Sequence, residues 1–148
     1  MDGANKKIVP SVSESSCDES AHYSKFKILV IDDEPANTEL LEAILSDSGY
    51  ERVKSITDSR VALDVCRTFK PDLILLDLMM PHVDGFAILS SLRSGPGEVF
   101  LPVIVLTADE TDETKLRTLD AGATDFMLKP FDLTEILFRI KKVLATRL

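Results

Sequence analysis

From Lys27 onward the sequence alternates five times between short strand-like segments and helix-like ones, and this alternation constrains the fold more than any other feature. The strand candidates are Lys27–Asp32, Arg52–Ile56, Asp72–Asp77, Pro102–Thr107 and Thr124–Leu128. Three of them are continuous apolar runs, as strands buried on both faces of a parallel sheet require. Leu40, Leu41, Ile44 and Leu45 mark a first helix, ended by Gly49. Val61, Leu63, Val65, Cys66 and Phe69 suggest a second, less regular one. Asp84 can cap a third that carries Phe86, Ile88, Leu89 and Leu92, and a fourth runs near Asp112–Ala121, closed by Gly122. The last has Asp132 as N-cap with Glu135 three residues on, a capping box, and an apolar stripe of Leu133, Ile136, Leu137, Ile140 and Leu144. Right-handed crossovers place helices on both faces of the sheet these segments form. The pattern predicts an α/β fold, a doubly wound parallel sheet of five strands with five helices. The fourth helix has only Leu116 and Leu119 as large apolar residues, so it is expected to be the least firmly anchored.

A chain of 148 residues fits one domain with a core of its own. A hydrophobic content of 45% and a mean hydropathy of +0.08 exclude a disordered or collagen-like chain. Residues 1–25 read as a flexible tail, because Pro10–Ser20 is serine-rich, acidic and without periodicity. Residues 26–148 are expected to form the domain. Acids outnumber bases 25 to 17, a net charge of −8, which argues against direct nucleic-acid binding. The apolar runs are too short to span a membrane, and the N-terminus has no signal-peptide core, which predicts a cytoplasmic protein. Cys17 and Cys66 are too few for a disulfide framework, and Cys66 reads as a core residue. His22 and His82 cannot make a histidine-rich metal site.

In such a sheet, ligands bind beyond the carboxyl ends of the strands. The first strand ends in Asp32, Asp33 and Glu34, the third in Asp77, the fourth in Thr107, and the fifth leads into Lys129-Pro130. Carboxylates crowded at one edge repel one another unless a cation compensates. Mg²⁺ suits a small set of carboxylates that leaves room for water and a phosphoryl oxygen. A lysine in that set can hold incoming negative charge, and a threonine can donate a hydrogen bond to it. A carboxylate can attack phosphorus to form an aspartyl phosphate. Asp77 is the best nucleophile, since Leu73–Leu76 hold it at a strand end.

The runs Val30-Ile-Asp-Asp-Glu34, Leu75-Leu-Asp-Leu-Met-Met-Pro81 with Asp84-Gly85, Val105-Leu-Thr-Ala108 and Ala121–Phe131 together carry a resemblance. Over roughly residues 26–146 the chain resembles a response-regulator receiver domain of bacterial two-component signal transduction, of the chemotaxis-regulator-like superfamily. The resemblance implies a flavodoxin-like strand order, 2-1-3-4-5. It implies Asp77 as phosphoacceptor, and Mg²⁺ (or Mn²⁺) on Asp33, Asp77 and the Met79 backbone carbonyl, with Asp32 helping through water. It implies that Lys129 pairs with the phosphoryl group, that Thr107 hydrogen-bonds to it, and that Phe126 swings inward on activation. Lys129-Pro130 would be a cis peptide. The implied partners are a sensor histidine kinase or a histidine phosphotransfer protein. The implied output is a shift of the face formed by the fourth helix, fifth strand and fifth helix, read by a partner, an output domain or a second copy in a homodimer. Such a domain is not an enzyme in its own right; it assists its own phosphotransfer and dephosphorylation. Apolar Met79 and acidic Asp109 stand at two positions beside the site that, in the family, tune the access of water to the phosphoryl group.

Simpler readings stand beside these. Asp32, Asp33 and Glu34 can cap the first helix, with Pro35 in its first turn. Met79 and Met80 read as packing residues, His82 as a loop residue, and Arg139, Lys141, Lys142 and Arg147 as a solvated face. A phosphohydrolase would need a second aspartate where Met79 stands. A flavin module would need a phosphate-cradling loop where Asp32, Asp33 and Glu34 repel phosphate. The alternative within the family is a degenerate receiver that acts only as an interaction module.

Overall fold

A computed structural model describes residues 23–94 and 101–146. Cys17, His22 and Arg147 lie outside the described residues, as does the serine-rich stretch of the expected tail. Strands β1 (Lys27–Ile31), β2 (Arg52–Ile56), β3 (Leu73–Asp77), β4 (Val103–Thr107) and β5 (Asp125–Leu128) form one parallel sheet in the order β2-β1-β3-β4-β5. Helices α1 (Pro35–Asp47), α2 (Ala62–Phe69), α3 (Gly85–Ser94), α4 (Asp112–Asp120) and α5 (Leu133–Ala145) connect and follow them, with a short 3₁₀ turn, Ser59–Val61, leading into α2. The predicted strand order, strand number and helix number are those observed.

Side chains of successive strand residues point to opposite faces, so each apolar strand feeds two cores. Ile28, Val30, Leu73, Leu75, Ile104 and Leu106 pack with Leu41 and Leu45 of α1 and with Ile136, Ile140 and Leu144 of α5. Leu29, Ile31, Ile74, Leu76, Val103 and Val105 pack with Ala62 and Cys66 of α2 and with Ile88 and Leu89 of α3. Burying each such leucine or isoleucine is worth roughly 2 kcal/mol, and every residue of β3 and β4 is buried. Burial also pushes the Cys66 thiol up to about 11, in keeping with a core role. The ring of Tyr23 lies 6.1 Å from that of Phe26 and 5.8 Å from that of Tyr50, so packing reaches back beyond the expected boundary at residue 26.

Several helix faces differ from the expected stripes. α1 buries Thr38, Leu41 and Leu45 while Leu40 is exposed, because one residue is 100° of rotation on a helix. Val61 belongs to the 3₁₀ turn and is exposed, leaving Ala62 and Cys66 to face the sheet. α5 turns Leu133 outward. Its Asp132 carboxylate accepts from the Thr134 and Glu135 backbone N–H groups, but Glu135 pairs with Arg139 at 2.9 Å rather than closing the box. Arg139 is not a solvated residue either: it binds both oxygens of Asp125 on β5, at 2.6 and 2.8 Å. α4 buries only Thr118, and its two leucines lie at the surface, Leu116 67% exposed.

Candidate functional site

The sheet register brings four strand ends level. Ile31 pairs with Leu76, so Asp32, the next residue, arrives beside Asp77. Asp77 pairs with Leu106, one residue short of Thr107, and Thr107 pairs with Leu128, one short of Lys129. The Lys129 N–H donates to the Thr107 carbonyl at 2.8 Å and the Asp32 N–H to the Ile56 carbonyl at 3.2 Å, which ties both turns to the sheet.

Asp32, Asp33 and Asp77 each place a carboxylate oxygen within 4.8 Å of the others. Lys129 Nζ donates to Asp32 Oδ2 at 2.7 Å and stands 3.5 Å from Asp77 Oδ2. Asp77 Oδ1 accepts from the Met79 N–H at 3.3 Å. Asp32 also accepts from the Glu34 N–H at 3.0 Å and from Asn37 Nδ2 at 3.2 Å. The simple cap reading does not hold, since Glu34 is the N-cap of α1 and its side chain makes no capping bond. Asn37 belongs to none of the sequence motifs. The available signal was position, because a helix that starts directly after a strand folds its first-turn side chains back over that strand's end.

Asp32 and Asp77 are 2% and 6% exposed, which makes their charges costly. Burial pushes the Asp77 carboxyl up to about 6; the Lys129 ammonium opposes this, and the Asp32 carboxylate adds to it. Among the described residues three carboxylates cluster here and one ammonium, that of Lys129, pairs with two of them, so the site is short of positive charge. An oxygen-only donor set grouped this closely fits a hard divalent cation. Thr107 is fully buried, and its Oγ1 accepts from the Asp109 N–H at 3.3 Å.

Loops around the site are held by backbone geometry. A Cβ on Gly85 would stand 2.6 Å from the Asp77 carbonyl oxygen and 2.7 Å from Leu78 Cα, so only glycine lets α3 start this close to the strand end. Asp84 caps α3 by accepting from the Ala87 N–H at 2.9 Å. Met80 is buried, but Met79 is 65% exposed and does not pack around the site as expected. His82 sits in the loop at φ 73°, and Lys129-Pro130 is cis. Phe126 is half-buried against the α2–α3 side of the core. Asp109 has an employment the sequence concealed: its carboxylate accepts from the Thr111 N–H at 3.0 Å, from Thr111 Oγ1 at 2.8 Å and from Thr114 Oγ1 at 2.7 Å. These bonds hold the acid below the usual carboxylate range, the Thr111 N–H first among them.

Comparison with known proteins bears on this arrangement. The family model of the response regulator receiver domain matches residues 28–141. Response regulator MprA of Mycolicibacterium vanbaalenii is 42% identical over 118 residues, which cover 80% of this chain and 50% of that protein. The alkaline phosphatase synthesis transcriptional regulatory protein PhoP of Bacillus subtilis is 41% identical over 118 residues, 80% of this chain and 48% of its own length. This chain thus spans about half the length of the curated relatives it matches. Among solved structures, the signal receiver domain of a DNA-binding response regulator from Colwellia psychrerythraea superposes with a TM-score of 0.77 at 32% identity, over 82% of this chain and 99% of that one. A BeF3-activated receiver domain of Klebsiella pneumoniae RstA gives 0.73 at 31% identity, over 80% and 97%.

Proposed function

The chain belongs to the response regulator receiver domain family, and from that premise we propose that it is a phosphorylation-driven switch with Asp77 as the acceptor. One observation carries the reading: a buried strand-end carboxylate lies 3.5 Å from an ammonium and among two further carboxylates. The donor is a phosphohistidine on a sensor kinase or phosphotransfer protein. Its nitrogen–phosphorus bond breaks, with the electron pair returning to nitrogen, as an Asp77 oxygen–phosphorus bond forms. Asp77 must be ionised to attack, and the neighbouring Lys129 ammonium favours that form. Asp33, Asp77 and the Met79 carbonyl would hold Mg²⁺ or Mn²⁺, with Asp32 acting through water; the ion supplies positive charge to the carboxylates and the arriving phosphoryl oxygens. Lys129, steadied by Asp32 at 2.7 Å, then turns its charge to the new oxygens. The Thr107 hydroxyl has a proton to donate to them.

Movement of Thr107 pulls on the Asp109 amide it accepts from, and through the Asp109 carboxylate on the first turn of α4. Phe126 fills the space that is vacated. A groove of about 490 Å³ along α4, β5 and α5, lined by Lys115, Phe126, Leu128, Phe131 and Glu135, changes shape as a result. A partner, an output domain or a second copy reads that change as a shift in population. The net charge of −8 speaks against this chain contacting nucleic acid itself.

The test is incubation with acetyl phosphate and Mg²⁺, followed by intact mass. The wild type is expected to gain one phosphoryl group, and Asp77→Asn to gain none. Equal incorporation by both, or none by the wild type, contradicts the proposal.

A further inference from the structure

The loop from Leu78 to Asp84 carries the Met79 amide that Asp77 accepts from; Leu78 and Met80 anchor its start in the core, while Pro81 and His82 are exposed. Its middle is gripped from outside, by a residue that follows β2, with β1 lying between that strand and β3. Ser59, the first residue of the 3₁₀ turn after β2, is 4% exposed. Its Oγ donates to the Pro81 carbonyl at 2.7 Å and accepts from the Val83 N–H at 3.1 Å. One hydroxyl thus satisfies backbone groups on both sides of His82, whose φ of 73° lies in the left-handed region that a non-glycine residue seldom adopts. The serine is itself fixed in place. Asp58 caps the 3₁₀ turn by accepting from the Arg60 N–H at 3.0 Å, and the same carboxylate binds the Arg60 guanidinium at 2.9 Å.

We infer that Ser59 is a positioning residue for the phosphoacceptor site, because its hydroxyl clamps the Pro81–Val83 backbone and so holds Met79 against Asp77. The inference rests on the function proposed above. Two part-buried hydrogen bonds from one buried serine to one loop, made over 22 and 24 residues of chain, are a rigid connection. Without them the Pro81 carbonyl and the Val83 N–H lose the partner that fixes their positions, and the loop loosens there toward water. Met79 is the residue that moves with it. Met79 lies exposed between the buried Leu78 and Met80, and among the described residues its own hydrogen bond is the 3.3 Å one that its N–H donates to Asp77 Oδ1. Ser59 touches neither Asp77 nor an ion site, so it acts only through this backbone.

Ser59→Ala removes one oxygen and leaves the apolar packing in place, and Ser59→Thr keeps the hydroxyl. Three readouts are taken on the full chain: Mg²⁺ affinity by calorimetry, phosphoryl incorporation from acetyl phosphate as a function of Mg²⁺, and exchange of the Val83 amide in metal-free protein by NMR. Ser59→Ala is expected to weaken Mg²⁺ binding about tenfold, as outer groups that orient metal ligands do. It is expected to speed Val83 exchange by a similar factor and to recover wild-type incorporation at saturating Mg²⁺. Ser59→Thr should stay close to wild type in all three. Unchanged Mg²⁺ affinity in Ser59→Ala overturns the inference whatever its melting temperature, and so does a Ser59→Thr variant that falls as far as Ser59→Ala. A wild type that binds no Mg²⁺ and takes no phosphoryl group overturns the proposed function as well. A wild type that does both, beside an unaffected Ser59→Ala, overturns the clamp alone.

Discussion

At the scale of single residues, Asp77 bears the clearest cost. Its carboxyl titrates near 6 in the folded protein, against 3.8 for the free side chain, chiefly because it is buried. Below about pH 4 the group is protonated in both states, and its preference for the fold is fully present. That preference fades as pH rises through 6, since the folded chain must then hold a buried charge. Metal-free Asp77→Asn is therefore expected to be more stable than wild type at about pH 7.5, by about 1–3 kcal/mol, and nearly equal to it near pH 4. Urea unfolding in EDTA at the two pH values measures this; the same difference at both would remove the argument. The residue types of the site were legible in the sequence, because acids and a lysine at strand ends have few other reasons to stand there. Their bonding was not. Asp109 reads as a modifier of water access, and in the structure its carboxylate is committed to Thr111 and Thr114. Met79 reads as packing and lies at the surface.

Among the elements, α4 is the one whose attachment inverts the usual rule. Its leucines face out and its one buried residue is a threonine, whose hydroxyl donates to the Thr114 carbonyl at 2.7 Å. The other attachments are polar: the Asp109 bonds at its start, and the Arg117 guanidinium stacked 3.8 Å from the Phe86 ring. Arg93 of α3 completes the set by donating to the Gly122 carbonyl at 2.9 Å, just past the helix. An element held by hydrogen bonds rather than by a wide apolar face can slide without opening a large cavity. Thr118→Ala is expected to cost about 1–2 kcal/mol and Leu116→Ala less than about 0.5 kcal/mol. Urea melts rank the two, and a larger loss in Leu116→Ala would show that the leucine is anchored after all. The sequence identified α4 as the weak element from its composition. It could not reveal which residue faces inward, because with so few apolar residues there is no stripe to orient the helix.

For the whole molecule, the site joins segments far apart in the chain, from Asp32 to Lys129, so a bound cation links β1 and β3 in the folded state only. Mg²⁺ at a hundredfold excess over its Kd is expected to stabilise the protein by about 2.7 kcal/mol. Thermal melts with and without the ion measure the effect, which Asp33→Asn should largely abolish; a wild type indifferent to Mg²⁺ would refute the link. Two-sided burial of β3 and β4, the five alternations and the chain order of Asp32, Asp77, Thr107 and Lys129 were all determined by the sequence alone. Parallel strands joined by helices must deliver their carboxyl ends to one edge, whatever the details of packing. Only the tertiary structure decided who meets whom there. Lys129 sits 0.8 Å closer to Asp32 than to Asp77, Thr107 takes the Asp109 amide, and Ser59 reaches across to Pro81 and Val83. Such choices turn on fractions of an ångström in loops, where no periodic pattern records them and only the packed chain supplies the partner.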